Sequence, residues 1–452
     1  MNTGTIKKYM GKKQNQISRR SFIKQSALAV TGAFLAPTIL PSGRLFAATG
    51  ARRANHVVFC LFAGGVRQLE SMQQADGNLM RNILSGTQPI SGDIAAGMSP
   101  LPSPSGLPLQ NYGTLFKEFR YNNGPTGHVS GHHTAITGVY NSNDLNINLP
   151  PTYPTLFEYY RKHTTPSKSA LNAWWISDSL GPYPALNFSS DSNYGALYGA
   201  NYIQPASLIS QSGYNALGNP KTFSATEKTV VKGIRTILDK NFGRSYNSGS
   251  AGVVNLESDL SALETYINSS FTDAAAGLYN DPWGVGASVM NNDMFNIFIA
   301  DKILTQFKPE LLVVNMTGVD VCHFNFTQYC DNLRKADFAV SQLWKTIQST
   351  PGLMNDTILI VAPEHGRNST SNTVMDAHGR YAVDHTNDAM SREIFCLVVG
   401  PAGVVKQNQV INTVEGESID IVPTVADILG FYNDIPGSYR SNMGSPLLQA
   451  FV

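Results

Sequence analysis

Carboxylate and imidazole side chains follow directly on apolar, β-rich runs at several points in the second half of this 452-residue chain. Leu311–Met316 (LLVVNM) ends in Thr-Gly-Val-Asp-Val-Cys-His, which carries Asp320 and His323 into a loop. Thr357–Ala362 (TILIVA) ends in Pro-Glu-His-Gly-Arg, which does the same for Glu364 and His365. Val383-Asp384-His385 comes next and leads into a further run, Ile394–Val399 (IFCLVV). In open α/β sheets ligands gather at the carboxyl ends of the strands. Carboxylate and imidazole together are the donors that a divalent transition metal such as zinc takes. We therefore read Asp320, His323, Glu364, His365 and His385 as metal ligands, for one or two ions. Asp320 and His323 are close enough in sequence for a turn to aim both at one ion. Glu364 and His365 are adjacent and need a tight turn at Gly366 to do so. His385, flanked by Asp384 and Asp388, completes the set, with an acid to fix its ring; His378 competes for that place.

Gly127–Tyr140 (GHVSGHHTAITGVY) reads as a short helix stopped by Gly138. His128 and His132 lie one turn apart on it and share a face, a spacing able to hold a metal. A helix N-terminus also attracts phosphate or sulfate. His128 and Ser130 are the candidate catalytic residues here, with Thr126 the other hydroxyl at hand, while His133 reads as packing or capping. Arg367 is the candidate holder of an anionic group. Trp174 and Trp175 read either as cleft lining or, on the stronger prior for such residues, as core.

These residues need a scaffold of alternating strands and helices. Asn55–Phe62 (NHVVFCLF), followed at once by Ala63-Gly64-Gly65, reads as a first, fully buried strand. Asp293–Phe307, Asp331–Ile347 and Ser418–Leu429 read as helices, the last stopped by Gly430. Repeated strand–helix–strand order argues an α/β fold with a mostly parallel central sheet flanked by helices. From Asn141 to about Asn292 the chain turns rich in Asn, Ser, Gly, Tyr and Pro, with a strand expected at Ala173–Ser177 and helices near Ser224–Leu238 and Ser258–Ile267. We read that stretch as an irregular inserted region covering the site, within a single domain spanning 49–452.

Residues 1–48 are set apart. Ser18-Arg19-Arg20-Ser21-Phe22-Ile23-Lys24 is close to a complete twin-arginine export motif, followed by a weakly apolar run and small residues at Ala47-Ala48. That run contains Pro37 and falls short of the roughly 20 residues a spanning helix needs. The expected location is periplasmic or secreted, with the twin-arginine translocase the partner during export. The leader holds eight basic residues and no acid, so what remains carries 25 Lys/Arg against 32 Asp/Glu, a net charge of −7. That excludes a basic nucleic-acid surface. Four cysteines are too few for a disulfide framework. Cys60 and Cys396 read as buried fillers; Cys322 and Cys330 could pair or stay free, and Cys322 could serve as a thiolate ligand.

In these motifs the chain resembles the alkaline phosphatase superfamily, which includes sulfatases. The closest likeness is to a twin-arginine-exported family catalogued as domain of unknown function 1501. Gly318-Val-Asp320-Val-Cys-His323, Pro363-Glu364-His365-Gly366-Arg367-Asn368 and Asp384-His385-Thr386 match its motifs in order, and Asp420–Gly430 resembles the sulfatase ending. The resemblance implies a divalent metal, zinc foremost, and hydrolysis of a small phosphate or sulfate ester. Two places depart from it. The superfamily sets an Asp directly after the first strand, where this chain reads Ala63-Gly64-Gly65-Val66-Arg67. The nucleophile position, counted back from Thr137, falls on His128. Those departures favour the alternative, a non-catalytic envelope binding protein with a degenerate metal site.

Overall fold

The computed structural model describes residues 50–141, 150–164, 169–177, 186–205 and 255–452. The expected leader and the helix expected near 224–238 lie outside them. Eight strands form one sheet: β1 His56–Phe62, β2 Gly113–Arg120, β3 Ala173–Ser177, β4 Asn201–Ile203, β5 Leu311–Met316, β6 Thr357–Pro363, β7 Glu393–Val399 and β8 Gln409–Glu417. Their order across the sheet is β4-β3-β5-β1-β6-β7-β2-β8. Pairing is parallel throughout except around β7, which runs antiparallel to both β6 and β2. The expected mostly parallel sheet flanked by helices is what the chain forms.

Uninterrupted apolar runs make the central strands because both faces of the sheet are covered. Along β1, Val58, Cys60 and Phe62 enter one core while Val57, Phe59 and Leu61 enter the other. β6 divides likewise, Leu359 and Val361 against Ile358, Ile360 and Ala362. The first core is closed by helices we number α3 (Glu257–Ala275), α4 (Asn292–Phe307) and α5 (Phe326–Ser349), the second by α1 (His128–Thr137), α2 (Leu156–His163) and α6 (Ile421–Ile428). Among the described residues no helix is long and apolar enough to cross a membrane.

Part of the stretch read as an insertion is integral to the sheet. β3 pairs with β5 in register from Ala173↔Leu311 to Ser177↔Asn315, and β4 extends the same edge. Trp174 and Trp175 accordingly line no cleft: they are 3% and 2% exposed, Trp174 stacked on Phe307 with ring centroids 5.3 Å apart and Trp175 packed on Phe157. All four cysteines are buried and free, so Cys322 and Cys330 do not pair. Burial pushes the Cys322 thiol up to about 12, and among the described residues Cys322 belongs to neither cluster of potential ligand atoms. α5 starts at Phe326, earlier than the apolar stripe suggested, because the Asn325 side chain caps it by accepting from the Gln328 amide.

Candidate metal centre

β1, β5 and β6 are neighbours and parallel, so their carboxyl ends open on one edge. From β5 the chain enters a 3-10 turn, Gly318–His323, that carries Asp320 and His323. β6 leads into Glu364 and His365. Between them, Gly64 and Gly65 turn sharply after β1 with φ of +109° and +82°. A Cβ on Gly64 would sit 2.6 Å from the Asp320 amide nitrogen, and one on Gly65 2.6 Å from His365 Nδ1. Neither Gly64 nor Gly65 can therefore carry a side chain, and Ala63 before them contributes only a buried methyl group. The Gly64 amide instead donates to Glu364 Oε1 at 2.6 Å. α1 brings His128 to the same edge and ends as expected at Gly138, in the left-handed region at φ 72°.

Asp320 Oδ1 is the hub. It lies 3.1 Å from His128 Nε2, 3.3 Å from His323 Nε2, 3.8 Å from His385 Nε2 and 3.1 Å from Arg367 Nη2. Those cationic or donor neighbours outweigh the cost of burial and hold the Asp320 carboxyl far below the ordinary carboxylate range. Glu364 is fully buried. Its Oε1 lies 2.8 Å from His128 Nδ1 and 3.3 Å from His365 Nε2, and its Oε2 2.6 Å from His132 Nδ1; burial opposes its charge, but these imidazoles keep its pKa well down. Ligand atoms of His128, Asp320, His323 and His385 all lie within 4.8 Å of one another, as do those of His128, Glu364 and His365.

The outer ring nitrogens decide which atoms face inward. His323 Nδ1 donates to Asp384 Oδ1 at 2.6 Å, His385 Nδ1 to the Thr126 carbonyl at 2.5 Å, and His365 Nδ1 to the Gly366 carbonyl at 2.8 Å. With a proton fixed on Nδ1, each ring turns its Nε2 toward the centre. His365 Nε2 is buried and makes no hydrogen bond. Burial, then the neighbouring His365, lowers His385 to about 3, so it stays neutral. This donor set of imidazole nitrogens and carboxylate oxygens, preset by outward hydrogen bonds, fits a divalent ion.

Several expectations are corrected. Arg367 spends its guanidinium on protein groups, the Asp320 carboxylate at 3.1 Å among them. It is fully buried, donating through Nε to Gly65 O at 3.1 Å, through Nη1 to Val383 O at 2.7 Å and through Nη2 to the carbonyls of Gly64 and Val319. It ties the loops after β1, β5 and β6 together. Ser130 is wholly buried. Thr126 is buried too, its hydroxyl donating to the His385 carbonyl at 3.1 Å. His132 shares a face with His128 but has both ring nitrogens engaged, Nδ1 with the His128 carbonyl at 2.7 Å and Nε2 with Asn315 Oδ1 at 3.1 Å. His378 is exposed and outside both clusters. Asp384 orients His323, not His385, and Asp388 binds Ser369. Two contributors escaped the sequence, the Thr126 carbonyl and the Gly64 amide, since backbone groups leave no side-chain signal.

No family model matches the chain, so the narrower likeness drawn from its motifs stands on those motifs alone. No curated protein matches it. Among solved structures it is similar to a protein in the alkaline phosphatase superfamily from Vibrio parahaemolyticus, at 14% identity over 90% of this chain and 75% of that one, with a TM-score of 0.44. It is similar to the lipoteichoic acid synthase of Listeria monocytogenes at 11% identity, over 89% and 78% of the two chains, with a TM-score of 0.41. A 2-O GAG sulfatase gives 11% identity, 88% and 73% coverage and a TM-score of 0.44. Such likenesses are of chain path and not of substrate.

Proposed function

We propose that this chain is an exported, metal-dependent hydrolase of small phosphate or sulfate esters, built as one domain on the alkaline phosphatase plan. The observation that carries the reading is the inward set of Nε2 atoms on His323, His385 and His365 around two carboxylates, each ring locked by an outward Nδ1 hydrogen bond. Asp320, His323 and His385 would hold one ion, and His365 with Glu364 a second. Zinc suits the donors, and when bound it would polarise the ester oxygen and acidify water. His128 manages the proton: Glu364 fixes its Nδ1 side, so Nε2 can take a proton from water or return it to the leaving oxygen. α1 begins at His128 with no side-chain cap on Gly127, which leaves its positive end at the cluster for the anion. Arg367 fixes the loops. The leader motif and the three matching motifs support export and the reaction class.

The test is turnover of 4-nitrophenyl phosphate and 4-nitrophenyl sulfate by zinc-loaded protein, before and after chelation and in Asp320→Ala. Metal-dependent release of nitrophenol, lost in the variant, supports the hydrolase. The second reading, a binding protein on the same fold, is favoured by the burial of Ser130 and Thr126, the two hydroxyls that the sequence offers as nucleophiles. It expects stoichiometric zinc without turnover of either ester.

A further inference from the structure

The turn that carries Asp320 and His323 runs directly into Phe324. That ring is 72% exposed, and its centroid is 6.1 Å from the imidazole of His323. A phenyl ring in water forgoes the burial that such side chains normally find. Isolated exposed apolar residues are ordinary, but this one has company.

Residues 372–383 fold back on themselves. The Asn372 amide donates to Ala382 O at 2.8 Å, the Ala382 amide to Val374 O at 2.7 Å, and the Asp376 amide to Arg380 O at 2.8 Å. The hairpin is fastened along the turn at both ends: Asn372 Nδ2 donates to His323 O at 3.2 Å, and the Thr327 amide to Asp376 Oδ2 at 2.8 Å. Its base is held by the Val383 amide on Cys322 O at 2.9 Å. Residues 372–376 thus lie alongside 323–327. The hairpin presents Val374, Met375 and Tyr381 at 41%, 54% and 47% exposure, with Met375 and Tyr381 bridged across it. Arg380 anchors it further, by ion pairs to Asp76 and Asp93. The result is a hairpin that exposes three apolar side chains and is braced against the turn carrying His323 and Phe324, an apolar shelf beside the metal centre.

We propose that this shelf, with Phe324 at its inner end, receives the organic group of the substrate, and that the substrates are esters of apolar alcohols, aryl or long alkyl. This inference rests on the hydrolase reading. Phe324 adjoins His323, with ring centroids 6.1 Å apart, so an aryl group carried by an ester held at the cluster would have this ring as an aromatic neighbour. A protein docked over Phe324 would cover His323 and close the site, so the occupant is a small group that enters with the ester.

The test measures binding of phenylphosphonate and methylphosphonate, which cannot be hydrolysed as esters, to zinc-loaded protein by calorimetry. Wild type should prefer phenylphosphonate by roughly five- to tenfold, the value of one good ring contact. Phe324→Ser should erase the preference while leaving methylphosphonate affinity unchanged, and Phe324→Tyr should restore it. Equal binding in wild type, a preference kept in Phe324→Ser, or no binding of either compound overturns the inference. So does a concentration-dependent dimer that Phe324→Ser abolishes. Ester turnover without a phenyl preference defeats this inference and leaves the hydrolase reading; a phenyl preference with no turnover of any ester defeats the hydrolase reading, and the ester part of this inference with it.

Discussion

The Nε2 atoms of His323 and His385 face each other across 2.8 Å. Both rings commit Nδ1 outward, so an approach this close needs a proton or a cation between the two Nε2 atoms, and Asp320 Oδ1 stands 3.3 Å and 3.8 Å from the same two nitrogens. Asp320→Asn keeps the shape and removes the charge. We expect zinc affinity to fall by at least about 100-fold, beyond the usual effect of an outer hydrogen-bond partner. Competition with a chromophoric chelator measures it, and unchanged affinity would remove Asp320 as the hub.

Asp384 is the outer partner of His323, and its removal should act on the metal through that ring. Asp384→Asn is expected to weaken zinc binding by about 10–100-fold. Asp388→Asn, a nearby acid that binds Ser369 and no imidazole, is the control and should leave affinity alone. Equal effects from the two would show that general charge, not ring orientation, is what matters.

Arg367 is predicted to matter for stability. Its guanidinium satisfies carbonyls from Gly64, Gly65, Val319 and Val383 in a site closed to water. Arg367→Met strands those oxygens and leaves Asp320 with one cationic neighbour fewer. A loss of about 3–5 kcal/mol is expected, read from urea denaturation of the metal-free protein. Normal stability with weakened phosphate binding would return Arg367 to the anion-holding role.

Much of this was legible in the sequence, and the misses have physical causes. The central strands β1, β5, β6 and β7 are apolar runs because both of their faces are covered, and the ligands follow them directly. β2 and β8 went unread. β2 carries Lys117, Glu118 and Arg120 toward its end, and β8, at the sheet edge, exposes Asn412, Thr413 and Val414, so neither gives a clean run. β3 was read as a strand, but nothing local says that it pairs with β5. His128 and His132 look equivalent in sequence; only Asn315 and the His128 carbonyl take His132 out of the ligand set. Arg367 follows Glu364-His365-Gly366 as a substrate-facing arginine would, and burial reverses that role.

His128 sets the pH dependence. Burial alone would lower its pKa, but hydrogen bonds to Asp320 and Glu364 outweigh that and lift it to about 10. The folded value lies above the ordinary 6.5 or so, so this proton stabilises the metal-free fold fully below that pH. The contribution is lost as pH rises through 10. A divalent ion on Asp320 takes over the role of that proton. Zinc uptake near neutral pH should therefore release protons and tighten as pH rises. Calorimetric titration in buffers of differing ionisation enthalpy checks this; uptake with no proton release would contradict it.

The most direct measurement is zinc-edge X-ray absorption on the purified protein loaded with one equivalent of zinc and dialysed. The account predicts that zinc is retained, with only nitrogen and oxygen neighbours at about 2.0–2.2 Å and the outer-shell scattering of at least two imidazoles. Zinc lost on dialysis, or a sulfur neighbour at about 2.3 Å, would contradict it.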